Sequence, residues 1–508
     1  MATEDKRIVV LVHGWSVRNT NTYGELADRL ESEASRAADL RLDVRNLWLG
    51  KYVSFSDAVR VEDLSRGFQA ALTRELGKEL KAGRRFVCIT HSTGGPVVRD
   101  WWSRYYQQSS GVGICPMSHL IMLAPANFGS ALAQLGKGRV GRIKAWFEGV
   151  EPGEEVLNWL ELGSPEAWTL NTNWIQAPSV INGDNAVFPF VLTGQSIDRK
   201  LYDHVNSYTG ELGSDGVVRV AAANLNASYV RLEQEITPTL ASSSAERPPT
   251  SLKLMEARSS QRTAFTLIPG RSHSGEDMGI LRSIKDDDRP HPTVRAILDC
   301  LLVSDQESYR RLCDRFDEQA EKVREAERVE IEKRLLLDRV FIHDAHSMVI
   351  FRLMDDRGAI VSDFDLKLTA KKGRQVSPNF LSRGFIVDNQ KNHRHPGTLT
   401  FYVNYDLMVG SRPLKERKKG RSSIVRGAVD PMESLGLQIY PRPDAGVVHY
   451  VAAELLATTE ALKKYIGRDR TTLVDIVLRR VVRERVFRLT KNRRPVDFTN
   501  ESDGPPIP

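Results

Sequence analysis

The residues Ile89-Thr90-His91-Ser92-Thr93-Gly94-Gly95 have the types needed for nucleophilic catalysis by a serine hydroxyl. They follow the apolar run Phe86-Val87-Cys88-Ile89 and precede a helix expected from about Pro96. A strand, a sharp turn carrying serine and a helix together hold the hydroxyl above a sheet, at the positive end of that helix. Small residues suit the turn because it is strained and the chain segments approach closely. The usual pattern places glycine two residues before the serine, and here Thr90 stands there, a β-branched side chain that must fit beneath the turn.

A serine is a weak nucleophile until an imidazole takes its proton, and a carboxylate must fix that imidazole's tautomer and stabilise its cation. With this kind of turn the partners follow in the order acid, then histidine. For the acid, Asp215 in Gly213-Ser214-Asp215-Gly216-Val217-Val218 is preferred, in a small-residue loop before an expected strand Val217–Val220. Asp184 is the alternative, in a stretch that reads as a polar turn, while Asp198 and Asp203 lie in a charged, solvated segment. For the base, His273 in Pro269-Gly270-Arg271-Ser272-His273-Ser274-Gly275 follows an expected strand Thr263–Ile268; His291, next to Pro290, is its competitor. Upstream, Arg7 to His13 reads as a buried parallel strand ending in a His-Gly turn. The amides of Trp15 and Thr93 are then the expected oxyanion donors, fixed in place before reaction begins.

The elements around these residues alternate. Helices are expected near Tyr23–Ala37 and Val61–Leu80, and strands at Leu42–Leu49, His119–Leu123 and residues 187–193, with a closing helix His291–Val303. That pattern implies a mostly parallel sheet with helices on both faces. An excursion from Phe128 to Pro178 carries Trp146, Phe147, Trp159, Trp168 and Trp174, together with many glycines. Its expected role is a helical lid presenting an apolar, acyl-binding or membrane-facing surface, the bland alternative being simple packing onto the sheet. Residues 240–260, rich in Ser, Pro and Ala, read as a flexible loop.

The turn around Ser92, the early Val-Leu-Val-His-Gly-Trp strand, Leu123-Ala124-Pro125-Ala126-Asn127-Phe128-Gly129-Ser130 and the loops around Asp215 and His273 together resemble the α/β-hydrolase superfamily. Within it, the chain is similar to bacterial lipases, to lipase domains related to GPI-inositol deacylases and to phospholipase effectors of type VI secretion systems. The likeness covers residues of about 5–302 and implies Ser92, Asp215 and His273 as the triad of a serine ester hydrolase. It also raises an antibacterial effector role, with an inhibitory or immunity partner.

At 508 residues, with 41% hydrophobic and 27% charged residues, the chain has the composition of a soluble globular protein of two or three domains. The divisions expected are a hydrolase domain over 1–303 with the lid at 128–178, a helical connector over 304–338, a β-sandwich-like domain over 339–499 and a frayed tail over 500–508. Strands in the third part are expected at Met348–Leu353, Phe364–Thr369, Thr398–Val403, Leu473–Leu478 and Arg485–Leu489, with a turn at Asp355-Asp356-Arg357-Gly358. The net charge of +7 permits attraction to an anionic surface without pointing to nucleic acid. The basic run Lys415–Arg421 reads as a loop, solvated or meeting lipid headgroups.

The 4 cysteines, at 88, 115, 300 and 313, form no C-x-x-C pair, so neither a disulfide framework nor a zinc site is expected. No metal and no organic cofactor is needed by the chemistry. The polar start, Met1 to Arg7, lacks a signal-peptide pattern. Synthesis in a cytoplasm is expected, with any export by a route that ignores amino-terminal signals. The expected reaction is hydrolysis of lipid esters through an acyl-enzyme, on a phospholipid more readily than a soluble ester. A soluble esterase, amidase or acyltransferase, and a hydrolase fold retained only for binding, remain the alternatives.

Overall fold

The computed structural model describes residues 6–13, 23–53, 56–107, 114–136, 153–183, 185–199, 210–235, 249–287, 289–332, 339–418 and 421–482. Strand β1 (Arg7–His13) shows why the first domain is layered. Its period-2 alternation sends Ile8, Val10 and Val12 into one core and Val9 and Leu11 into another, and all five are buried. A strand apolar on both faces needs helices above and below it. These come from α1 (Leu26–Ala38), α2 (Val61–Lys81) and α3 (Gly94–Trp102), alternating with β2 (Leu42–Trp48), β3 (Phe86–His91) and β4 (Met117–Leu123).

After β4 come α4 (Glu154–Leu160), α5 (Pro165–Gln176), β5 (Phe188–Thr193) and the single turn α6 (Val220–Ala223). Strands β6 (Ser228–Gln234), β7 (Thr250–Ser259) and β8 (Ala264–Leu267) precede α7 (Pro292–Leu301) and α8 (Gln306–Ala326). The six-stranded sheet has the order β2-β1-β3-β4-β5-β8, with every neighbouring pair parallel. Phe68 of α2 and Trp101 of α3 pack edge-to-face at 5.1 Å on one side. Leu30, Ile297 and Phe316 cover the other. β3 lies inside the sheet, so its carboxyl end opens where the crossovers diverge, the usual place for a site in such folds.

Most of the other strands build a second sheet, and the rest pair off in two-stranded ribbons. In chain order they are β9 (Val329–Glu332), β10 (Arg339–Ile342), β11 (His346–Asp355), β12 (Phe364–Lys372), β13 (Gln375–Ser377), β14 (Ile386–Lys391) and β15 (Thr398–Asn404). Next come β16 (Leu414–Lys418), β17 (Arg421–Arg426), β18 (Ser434–Pro441), β19 (Val448–His449), β20 (Ala453–Thr458) and β21 (Thr471–Leu478). Ten of the strands form one sheet, ordered β13-β12-β18-β20-β7-β6-β21-β11-β15-β14. Both halves feed a common core: Val230, Val349 and Phe351 from one, Leu366, Leu437 and Ile439 from the other. This is a sandwich whose two layers stay joined along the β7–β20 pairing.

Several sequence expectations change here. Strands β6 and β7, placed by sequence within the first domain, pair antiparallel with each other and join the second sheet through β21 and β20. Residues 250–259 are therefore strand rather than loop, while 236–248 lie outside the described residues. The connector helix ends at Ala326 and gives way to the β9–β10 hairpin. The basic run forms paired strands β16 and β17 with its turn outside the described residues, as is the stretch Arg485–Leu489. Val217–Val220 is not a strand; it is a bend leading into α6, because the backbone there turns around the Asp215 carboxylate.

Each described tryptophan of the insertion is packed rather than presented at a surface. Trp159, Trp168 and Trp174 are buried in the core of the parallel sheet; Trp146 and Phe147 fall outside the described residues. Arg352 of β11 lies over the Trp168 ring at 4.3 Å, and Asn392 Nδ2 donates to Leu162 O at 3.1 Å. Helices α4 and α5 are thus wedged between the two sheets. Opening them would strip large aromatics and buried amides from their partners on both sides.

All 4 cysteines are buried and unpaired. Among the described residues no cluster of His, Cys, Asp and Glu is arranged to hold a metal, and no helix is long and apolar enough to cross a membrane.

Candidate active site

Ser92 leaves β3 with φ of 53°, in the left-handed region. A non-glycine residue there costs roughly 1–3 kcal/mol and needs anchoring. Its amide donates to Leu123 O at 3.0 Å, and its carbonyl accepts from Gly95 N at 3.2 Å. Thr90 is fully buried beneath the turn. A Cβ on residue 94 would come within 3.3 Å of the Thr90 Cβ, so glycine at 94 makes room for threonine at 90. Gly95 is held to the same economy: a Cβ there would come within 2.8 Å of the Pro125 ring. The departure at position 90 is compensated within the motif.

The carboxylate and imidazole come together as the sequence order required. His273 Nδ1 lies 2.9 Å from Asp215 Oδ2, and His273 Nε2 lies 3.0 Å from Ser92 Oγ. The Asp215 side chain is wholly buried, and its other oxygen accepts from the amides of Val217 at 3.0 Å and Val218 at 2.8 Å. The His273 amide also donates to Asp215 O at 2.9 Å, so backbone and side chain fix the pair together. With Asp215 acting as acceptor, Nδ1 carries the proton and Nε2 is left to accept from the serine.

The competitors stand elsewhere. His291 caps α7 by accepting from Thr293 N at 3.2 Å, and its Nε2 meets Ser283 Oγ at 3.1 Å. Asp198, expected to be solvated, is instead buried, and the two ring nitrogens of His273 are taken by Asp215 and Ser92. Asp184 and Asp203 lie outside the described residues. Of the expected oxyanion donors, Thr93 is at the N-terminus of α3, where amides point out of the helix, and Trp15 lies outside the described residues.

Sequence reasoning missed the residues that support this centre. The ring of His91 lies 4.8 Å from that of His273. Burial, followed by the neighbouring His273, pushes the His91 imidazole well below its ordinary range, so a neutral ring walls that of His273. Tyr23 OH donates to Val12 O at 2.8 Å and approaches Ile89 O at 3.2 Å, bracing the ends of β1 and β3. Behind the serine, the buried Arg99 of α3 reaches Asn127 Oδ1 at 3.1 Å and Asn171 Oδ1 at 3.0 Å, tying α3 to the post-β4 loop and to α5. His91 had one visible signal, its place beside Ser92; the others depend on contacts across long stretches of chain.

Comparison with known proteins agrees with this layout. Residues 9–278 match the model of the alpha/beta hydrolase family. Among solved structures, the chain is similar to the phospholipase PlaB from Legionella pneumophila, with 42% identity, 97% of each chain covered and a TM-score of 0.82. A second structure, of PlaB in complex with thio-NAD, matches with 41% identity, 97% of this chain and 98% of that one covered, and a TM-score of 0.81. A search of curated proteins returned no match. The chain belongs to the alpha/beta hydrolase family.

Proposed function

We propose that the protein is a serine hydrolase of lipid carboxylic esters, a phospholipase in substrate class. The observation that carries the reading is the continuous relay from Asp215 through His273 to Ser92 at the carboxyl end of β3. Ser92 Oγ attacks the ester carbonyl as His273 Nε2 takes its proton, and the Thr93 amide donates to the developing oxyanion. His273 returns the proton to the leaving alcohol. Water then enters by the same route in reverse, releasing the fatty acid and the free serine. Asp215 keeps its charge throughout and stabilises the imidazolium.

The substrate class is supported by likeness to PlaB, itself a phospholipase, over nearly the whole of both chains. The reading extends to work at a membrane surface, where the cationic β16–β17 hairpin suits anionic headgroups. An export route independent of a signal peptide and an inhibitory partner belong to the same proposal. The test is a defined panel of phospholipids, glycerides and short soluble esters, with products identified by mass. Fatty acid and lysophospholipid are expected from the phospholipids, and both disappear with Ser92→Ala. Turnover confined to soluble esters would overturn the substrate assignment while leaving the hydrolase intact.

A further inference from the structure

The loop that carries Asp215 leans on the second sheet, and the contacts are of an unusual kind. Arg219, only 2% exposed, pairs with Glu211 at 2.7 Å and, across the domain boundary, with Asp388 of β14 at 2.5 Å. Its guanidinium also lies 4.1 Å from the ring of Tyr402 on β15. Tyr402 OH approaches Gly213 O at 3.0 Å and Leu212 O at 3.2 Å, two and three residues before the acid. The Tyr402 ring is stacked on His346 of β11 at 4.7 Å. Gly213, with φ of 74°, packs so closely on that pair that a side chain there would collide with the Tyr402 hydroxyl and the His346 ring.

Burial works against the Arg219 charge, but Glu211 and its hydrogen bonds outweigh it and raise the guanidinium above its ordinary value, so the cation persists. A cavity of about 560 Å³ lies alongside, lined among others by Glu211, Leu212, His346 and Asp388. Beside that cavity, the loop's side-chain contacts with the second sheet are the Arg219–Asp388 pair and the close approach of Tyr402 and His346.

We propose that Arg219, Tyr402 and Asp388 are positioning residues for the catalytic acid, making the second sheet a working part of the active site. The proposal rests on the reading of Ser92, His273 and Asp215 given above. A carboxylate displaced by a fraction of an ångström orients the imidazole less well and stabilises its cation less, which is felt in the chemical step rather than in substrate binding.

The experiment compares Tyr402→Phe and Asp388→Asn with the unaltered full-length chain on a short soluble ester. The expected result is a fall in kcat on the order of tenfold, with KM unchanged and the acidic limb of the kcat/KM profile moved to lower pH. In an Asp215→Asn background, Tyr402→Phe is expected to cost almost nothing further, because its route of action has been removed. Unaltered kcat and pH profile in folded Tyr402→Phe would overturn the proposal, whatever Asp388→Asn does. Activity lost only in proportion to the folded fraction, with the pH limb unmoved, would also overturn it, since that is the signature of a structural role alone. Full activity in Ser92→Ala would instead remove the reading on which it rests, so the two failures are distinguishable.

Discussion

Ser92→Ala is expected to lower kcat on phospholipid by on the order of 10⁶-fold while leaving the fold unchanged, a loss of the size seen when a triad nucleophile is removed elsewhere. The hydroxyl is the only atom deleted, and the strained turn is held by backbone bonds to Leu123 and Gly95 that alanine keeps. Asp215→Asn should cost less, about 10⁴-fold, and for a reason visible in the geometry. One Asp215 oxygen accepts from the amides of Val217 and Val218, so an asparagine there will keep its carbonyl on those donors. Its amide then faces His273 Nδ1 and donates to it. The imidazole is forced to hold its proton on Nε2 and can no longer accept one from Ser92. Steady-state rates for the two variants, with circular dichroism to confirm folding, check both magnitudes. Equal and mild losses would contradict the relay.

The parts legible in sequence were those whose physics is local. The strand–turn–helix around Ser92 announces itself through small residues and an apolar run, and the acid and histidine loops follow it in the only order such a fold permits. Thr90 looked like a defect because its compensation is steric, in the room that glycine leaves at 94. The strand expected at Val217–Val220 was misread for a related reason. Its β-branched run has strand propensity, but a buried carboxylate two residues earlier captures the amides that a strand would have paired. Membership of β6 and β7 in the second sheet was hidden because their partner strands lie about 200 or more residues away in β20 and β21.

Trp168→Ala is expected to destabilise the protein by about 3–5 kcal/mol, the usual cost of truncating a buried aromatic. Trp168 is 3% exposed and packs against the parallel-sheet core on one side and Arg352 on the other, so the void has little freedom to collapse. Sequence composition had suggested that this residue meets lipid. The two roles separate cleanly in one measurement. A packing residue lowers the melting temperature and reduces rates on monomeric and aggregated ester in equal proportion. An interfacial residue leaves the melting temperature alone and reduces only the rate on aggregates. The first outcome is expected. The second would restore α5 to a lipid-facing role and contradict the wedged position of the insertion.

The central claim is that Ser92, activated by His273, is the nucleophile. Its most direct test is reaction of the pure protein with a serine-directed alkyl phosphonate, followed by intact mass and peptide mapping. The account predicts one adduct per chain, on the peptide containing Ser92, formed in step with loss of esterase activity. It also predicts no adduct with Ser92→Ala and a strongly slowed one with His273→Ala. An adduct on another residue, or full labelling of Ser92→Ala with activity lost in parallel, would contradict it.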